Sequence, residues 1–295
     1  MNIAVLFEHP TWSIDLIERI GRRGVAVTPV DVGDDAVAEL HLSRDFDFWI
    51  NRVNAMPSAG RPPSVAAAAS HLLLSLELSG RRVINGFRAH SIGASKSAQG
   101  AMFSGLGLHA PASISVHRSI DVCAAAAQIG FPVLTKPNIG GSGSGIARFD
   151  SMAKLVEAVA AGIDLGADGT GVVQKVIDSA DGLVHRIEML GTESFYATEQ
   201  PIQDGAFNYC AVEGCSIAAG KDSLAIVSPP AEIVEQVARV MLAASADVGG
   251  VEYLIDNRTG EPSFYDFNPF SNIVEGKNQE LGFDPVEVYL DYVLR

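Results

Sequence analysis

Apolar and polar positions change their spacing twice along this chain, and those changes outline its organisation. Ile3 to Leu6 is a short apolar run of buried-strand type, Ser13 to Arg22 has helical spacing, and Ala26 to Val32 returns as a strand. That β-α-β order predicts a parallel α/β unit, continued by a strand over Phe46 to Val53, a helix over Ser64 to Ser79 and a short strand over Arg82 to Asn85. A second region opens with a helix around Ser95 to Leu106. It continues with strand Ser113 to Val116, a helix near Ile120 to Ile129, strand Val133 to Lys136, a Gly/Ser loop and strand Ile146 to Phe149. Ser151 to Ala161 is amphipathic with helical period, and Gly171 to Ile177 reads as a strand. From His185 to Ser228 the alternation has period two, which predicts antiparallel strands, and Pro230 to Ala246 is helical again. The chain contains no internal repeat and no low-complexity tract.

The last alternation carries the first chemical signal. Gly250 to Asp256 and Phe264 to Asn268 are apolar runs joined by a turn over Asn257 to Gly260, a β-hairpin pattern. Side chains alternate faces along a strand, so Asp266 and Asn268 share a face, and strand pairing can bring Glu252 beside them. Two carboxylates and an amide oxygen on rigid strands suit a hard cation such as Mg²⁺, which also takes ligands from substrate phosphates. The competing reading is a hairpin whose polar face meets solvent.

The second signal is the loop Asn138 to Gly145, with four glycines and two serines in eight residues. Such a backbone can turn successive N–H groups towards an anion, although the loop lacks both the Walker spacing and G-x-G-x-x-G. A plain flexible turn is the alternative. Lys136, at the end of the apolar run Val133 to Thr135, shifts the balance, because a buried cation needs a partner. It either snorkels from the strand end or meets phosphate with the loop beside it.

Composition narrows the classes. With 295 residues the chain can form two domains, or one with a lobe attached. A formal net charge of −14 argues against a broad nucleic-acid footprint without excluding phosphate ligands. Cys123, Cys210 and Cys215 form neither a disulfide framework nor a zinc pattern, which fits a reducing cytoplasm. The start of the chain lacks a basic leader and cleavage site, and no apolar run reaches membrane-spanning length, so neither a signal peptide nor a membrane partner is expected.

Taken in order, Lys96 at a helix start, Lys136 before a proline, the loop 140–145, the strand Val173 to Ile177, then Glu252, Asp266 and Asn268 resemble the ATP-grasp superfamily. The resemblance is to its RimK-like and LysX-like carboxylate–amine ligases, with D-alanine–D-alanine ligase further off, and covers roughly 85 to 295. It implies an α/β N-terminal domain (1–88) followed by an α+β ATP-grasp fold whose small lobe (89–172) and large lobe (173–295) hold ATP between them. It also implies an ADP-forming ligase with ATP and Mg²⁺ (or Mn²⁺) as cofactors, and small-molecule carboxylate and amine substrates. A homo-oligomer is compatible with it.

By position, the resemblance gives ATP phosphates to Lys96 and Lys136, under a lid that includes Gly140, Gly141, Ser142, Gly143 and Ser144. Gln174, Lys175, Val176 and Ile177 would bind adenine, with Asp178 or Asp181 near the ribose. Glu252, Asp266 and Asn268 would hold one or two metal ions, and Arg186 would face the transferred phosphoryl group. Three departures stand out: Lys175 replaces an acidic residue, Asn208 stands where an arginine is usual, and Asp266 replaces a glutamate. Among substrate candidates, Arg52 closes a strand of the first domain and can clamp a carboxylate, the alternative being an exposed arginine. Asn208 belongs to a segment of altered acceptor chemistry, and Asn272 either reaches the acceptor carboxylate or caps a turn. Glu8 and His9 follow the first strand, where α/β sheets tend to bind ligands, and His9 reads best as a loop residue. His185 borders the phosphate site or lies on a strand face. Cys210 and Cys215 read as packing residues. Competing functions are a non-catalytic nucleotide binder of the same fold and a kinase that stops at a phosphorylated product. A dinucleotide oxidoreductase would need a glycine fingerprint after Leu6, where Phe7-Glu8-His9 stands instead.

Overall fold

The structure, a computed structural model, describes residues 1–9, 11–33, 45–54, 61–62, 64–140, 143–166, 168–202, 224–271, 273–274 and 276–295. Three sheets organise it. The first is parallel, in the order β2-β1-β3-β4, from β1 (Asn2–Phe7), β2 (Ala26–Asp31), β3 (Phe48–Arg52) and β4 (Val83–Ile84). Its odd face, with the odd-numbered Ile3 and Val5 of β1 beside Phe48 and Ile50 of β3, packs against Leu16 and Ile20 of α1 (Ile14–Arg22). Its other face, Ala4, Leu6 and Trp49, packs against Leu72, Leu73 and Leu76 of α2 (Ser64–Leu78). Two helices then follow closely, α3 (Phe87–Ala94) and α4 (Lys96–Gly105).

The second sheet is antiparallel, β5-β8-β6-β7, built from β5 (Ser113–Val116), β6 (Val133–Pro137), β7 (Ala147–Phe149) and β8 (Gly171–Lys175). One face, with Val116, Val133 and Val173, is covered by α5 (Ser119–Ile129) and α6 (Met152–Gly162). The third is also antiparallel, β11-β10-β9-β12-β13, from β9 (Leu183–Leu190), β10 (Glu193–Pro201), β11 (Ala225–Val227), β12 (Val248–Ile255) and β13 (Pro262–Asn268). Ile187, Met189, Val251 and Phe267 of that sheet bury against Phe103 of α4 and Val237, Val240 and Met241 of α7 (Ala231–Ala244). Because strands alternate faces, the even-numbered residues of β9 and the paired positions of β12 and β13 look the other way.

Most expected elements recur within a residue or two of their predicted limits. The strand over Gly171 to Ile177 ends at Lys175, where Val176 N–H turns to Pro132 O at 3.2 Å. Three helices were not anticipated: α3, the single turn α8 (Asn278–Leu281) and α9 (Pro285–Val293). Asp284 caps α9 by accepting from Val286 N at 2.9 Å, and Pro285 sits in the first turn. Buried Tyr289, Leu290 and Val293 carry α9 onto the odd face of the first sheet beside α1, so the latest helix completes the earliest core. Arg19 of α1 holds Asp284 at 2.8 Å and Glu287 at 2.9 Å at that seam. Among the described residues no helix is long and apolar enough to cross a membrane.

Leu290 is fully buried, so Leu290→Ala should lower stability by about 2–5 kcal/mol through lost burial and an unfilled cavity. A fall in the urea midpoint without a change in slope is the expected signature.

Candidate functional site

The polar face of the third sheet is a grid of charge. Strand register sets Arg186 opposite Glu252, and Glu252 opposite Asp266, in one row across β9, β12 and β13. The next row is Glu188, Gly250 and Asn268. The predicted hairpin therefore forms with the predicted side chains on one face. Glu252 Oε1 accepts from Arg186 NH1 at 2.8 Å, and Oε2 accepts from Tyr265 Oη at 2.8 Å. Asn268 Oδ1 accepts from Phe270 N at 2.9 Å.

Lys96 comes from the start of α4, and the sequence explains why it points there. Ser95 caps the helix by accepting from Ala98 N at 3.2 Å. Asn138, just past β6, receives Lys96 N through its carbonyl at 3.0 Å and Ser97 N through Oδ1 at 2.9 Å. This ties the helix start to the second sheet. From that anchor the Lys96 ammonium reaches across to Asp266 Oδ1 in a direct ion pair. Gln99 on the next part of the helix clasps the β13 backbone, donating to Phe267 O at 3.0 Å and accepting from Phe267 N at 3.2 Å.

Lys136 arrives from the second sheet. Its Nζ donates to Gln174 Oε1 at 2.6 Å and lies 5.8 Å from the Tyr265 ring centroid, so the two sheets meet at the same side chains. Gln174 in turn donates to Ser113 Oγ at 3.0 Å. Burial is the main influence on Lys136 and the Lys96 charge adds to it, lowering its pKa from 10.5 to about 8 despite Asp266 and Glu252. The carboxylates are driven apart. Burial raises Glu252, opposed by Arg186 and reinforced by Asp266, and the net direction is up. Burial also raises Asp266, but the Lys96 contact together with the Lys136 and Arg186 charges outweighs it, and the net direction is down. Burial disfavours the Arg186 charge too, yet Glu188 and then Glu252 outweigh that and hold it more firmly protonated than a free arginine.

Gly140, Gly143 and Ser144 follow β6 directly, and Gly143 and Gly145 take left-handed φ of 70° and 71°. A Cβ at Gly145 would sit 2.6 Å from Pro137 Cγ, so glycine is required there sterically as well. Gly141, Ser142, Asn208, Asn272, Cys210 and Cys215 lie outside the described residues. Lys175 Nζ donates to Gly130 O at 2.9 Å and Phe131 O at 2.8 Å, away from the face that carries Gln174 and Lys136. Ile177 is half-buried and Asp178 exposed beyond the end of β8. Asp181 is exposed; burial would raise its pKa, but Ser179 Oγ, Leu183 N and His185 outweigh it and lower it. His185 lies on the face turned from Arg186, between Asp181 at 2.9 Å and Glu199 at 3.2 Å, and stacks on Tyr253. That favours the strand-face reading for it.

Arg52 is buried and not exposed. Its guanidinium donates to the carbonyls of Phe270 and Ser271, just past β13, and lies 4.0 Å over the Phe270 ring. His9 stacks on Trp12 with ring centroids 4.0 Å apart, and Trp12 leans on Phe270. Thus the carboxyl ends of β1 and β3 meet the loop after Asn268. Burial lowers the His9 pKa from its ordinary value, against the raising influence of Glu8.

Sequence reasoning missed Glu188, Tyr265, Gln99 and Ser271. The signal for Glu188 was its spacing of two from Arg186, which puts both on one face. Among the described residues no group of three His, Cys, Asp or Glu side chains forms a metal cluster. Two carboxylates and an amide oxygen nonetheless share one face in adjoining strand positions, an all-oxygen set of the kind Mg²⁺ takes alongside water and phosphate.

Neither a protein-family model nor a curated protein matches the sequence. Solved structures do match the whole chain. A RimK-domain ATP-grasp protein from Sphaerobacter thermophilus superposes with a TM-score of 0.70 at 19% identity, covering 100% of both chains. The VanG D-Ala:D-Ser ligase of Enterococcus faecalis gives 0.72 at 16%, over 100% of this chain and 99% of its own. The ATP-grasp ligase PsnB, bound to a phosphomimetic precursor, Mg and ADP, gives 0.65 at 15%, over 100% and 98%. The chain therefore has the ATP-grasp fold.

Lys136 supplies a test of the site's electrostatics. Its native pKa, about 8, lies below the unfolded value of 10.5, so between these pH values the unfolded chain holds the extra proton. Stability contributed by this position must rise with pH across that window and be lowest below about 8. Relative to Lys136→Met, the wild type should gain up to about 3 kcal/mol between pH 7.5 and 10.5. Denaturant unfolding of both proteins at the two pH values would check it.

Proposed function

We propose that this protein is an ATP-dependent, ADP-forming carboxylate–amine ligase. It joins a small amino-acid-like acid to an amine through an acyl phosphate, with Mg²⁺ as the working metal. The convergence of three cations from different elements, Lys96, Lys136 and Arg186, around the carboxylates of Glu252 and Asp266, with Asn268 in the adjoining row, carries this reading. The fold is also that of proteins whose names specify ligation.

Phosphoryl transfer needs placement and charge neutralisation more than covalent help from the protein, and this set of groups offers both. Glu252, Asp266 and Asn268 would hold the divalent cation, which would supply charge neutralisation for phosphoryl transfer. Lys96 leaves Asp266 and Lys136 leaves Gln174 to take phosphate oxygens. Arg186 steadies the γ-phosphoryl group as a substrate carboxylate oxygen attacks phosphorus and ADP departs. The amine nitrogen then attacks the acyl carbon, phosphate leaves, and the nitrogen loses its proton to give the amide. An acyl phosphate hydrolyses in open water, so the loop 140–145 serves as a lid. Gln174 to Ile177 and Asp181 border the nucleoside end, while Arg52 fixes the loop that faces the acceptor.

ADP release measured with pooled acids and amines tests the reaction, and hydroxylamine should trap the activated acid as a hydroxamate. ATP binding with no turnover would favour a non-catalytic binder. ADP formation with a stable phosphorylated product and no hydroxamate would mark a kinase. Asp266→Asn combined with Asn268→Ala should cut metal-dependent ADP formation by about 10²-fold or more, with the circular dichroism spectrum unchanged.

A further inference from the structure

Glu188 has a task that the row of predicted ligands does not explain. It is 1% exposed and lies two residues from Arg186 on the same strand face. Arg186 Nε donates to Glu188 Oε1 at 2.7 Å, and NH2 lies 2.7 Å from the same oxygen. The third nitrogen, NH1, is the one on Glu252, at 2.8 Å. Ser271 Oγ donates to Glu188 Oε2 at 2.8 Å and fixes that carboxylate from its far side. Gly250 makes the arrangement fit: a Cβ there would lie 2.5 Å from Arg186 NH2 and 2.7 Å from both Nε and Glu188 Oε1.

Arg186 therefore bridges two carboxylates, only one of which stands in the row with Asp266. A largely desolvated guanidinium, 12% exposed as here, is costly to leave without a counter-charge, and with a single carboxylate in reach it would grip that one bidentately. We propose that Glu188 is a positioning residue that takes up the Arg186 charge, so that Glu252 can turn to a divalent cation without orphaning the arginine. This rests on the ligase reading above. Without Glu188 every withdrawal of Glu252 strands a largely desolvated cation, and Arg186 becomes a competitor of the metal. Glu188 thus sets metal affinity without touching the metal.

The test is Mn²⁺ titration by electron paramagnetic resonance, with a non-hydrolysable ATP analogue, on wild type, Glu188→Gln, Arg186→Gln and the double variant. Glu188→Gln should weaken Mn²⁺ binding about tenfold, and the same change in the Arg186→Gln background should have little effect. In turnover, the half-saturating Mg²⁺ concentration should rise while the ATP KM at saturating metal stays put, a split that general loosening of the fold would not give. Equal Mn²⁺ affinity in wild type and Glu188→Gln overturns the proposal, as does an undiminished loss in the Arg186→Gln background. A wild type that takes no Mn²⁺ with the analogue instead sinks the ligase reading beneath it. If Glu188→Gln does not fold, Ser271→Ala decides, with roughly a threefold loss expected and none overturning the idea.

Discussion

Strand alternation in the third sheet is the constraint from which the site follows. One face of β9, β12 and β13 is apolar and closes over α4 and α7, which commits the opposite face to whatever polar residues stand between. A one-residue slip of register would drive Arg186 and Glu252 into the helices and bring Ile187 and Val251 out. Burial of the apolar face therefore fixes the charge grid as firmly as it fixes the core. The grid's position is a by-product of hydrophobic packing, and its precision comes from the same source.

Holding that grid together carries a cost. Lys96, Arg186 and Lys136 are all desolvated to some degree, and the ion pairs with Asp266, Glu252 and Glu188 offset this without making the region a source of stability. Lys136 shows the imbalance most openly, since its hydrogen bond is to a neutral amide and its proton is loosely held. An anion arriving beside it would find a group already poised for a partner.

Much of this was legible in the sequence, for reasons that differ by element. The β12–β13 hairpin was readable because period-two alternation and a turn signal coincide; that strand pairing could bring Glu252 beside Asp266 was readable too, while the exact register came only with the fold. Lys136 stood out as a cation in an apolar strand. Glu188 did not, because one acidic residue in Ile187-Glu188-Met189 resembles an ordinary solvent-facing strand position until β12 pairs beside it. The α9 helix carried a usable signal in Asp284-Pro285 followed by apolar residues at 286, 289, 290 and 293. Short α3 carried little, since eight residues starting at a glycine cap give almost no periodic pattern. The role of Arg52 was hidden for another reason: its partners, the carbonyls of Phe270 and Ser271, are more than two hundred positions away.

The seating of α9 against β1 and α1 has a consequence for how the protein is made. Strands β1 and β3 leave the ribosome long before α9 and must keep Ile3, Val5 and Phe48 without their final cover until residues near 290 are synthesised. Early folding of the parallel unit is thereby incomplete by construction, and its sticky interval lasts as long as translation of everything between. A chaperone visiting this nascent chain would find a persistent target in the parallel unit for as long as α9 is still to come.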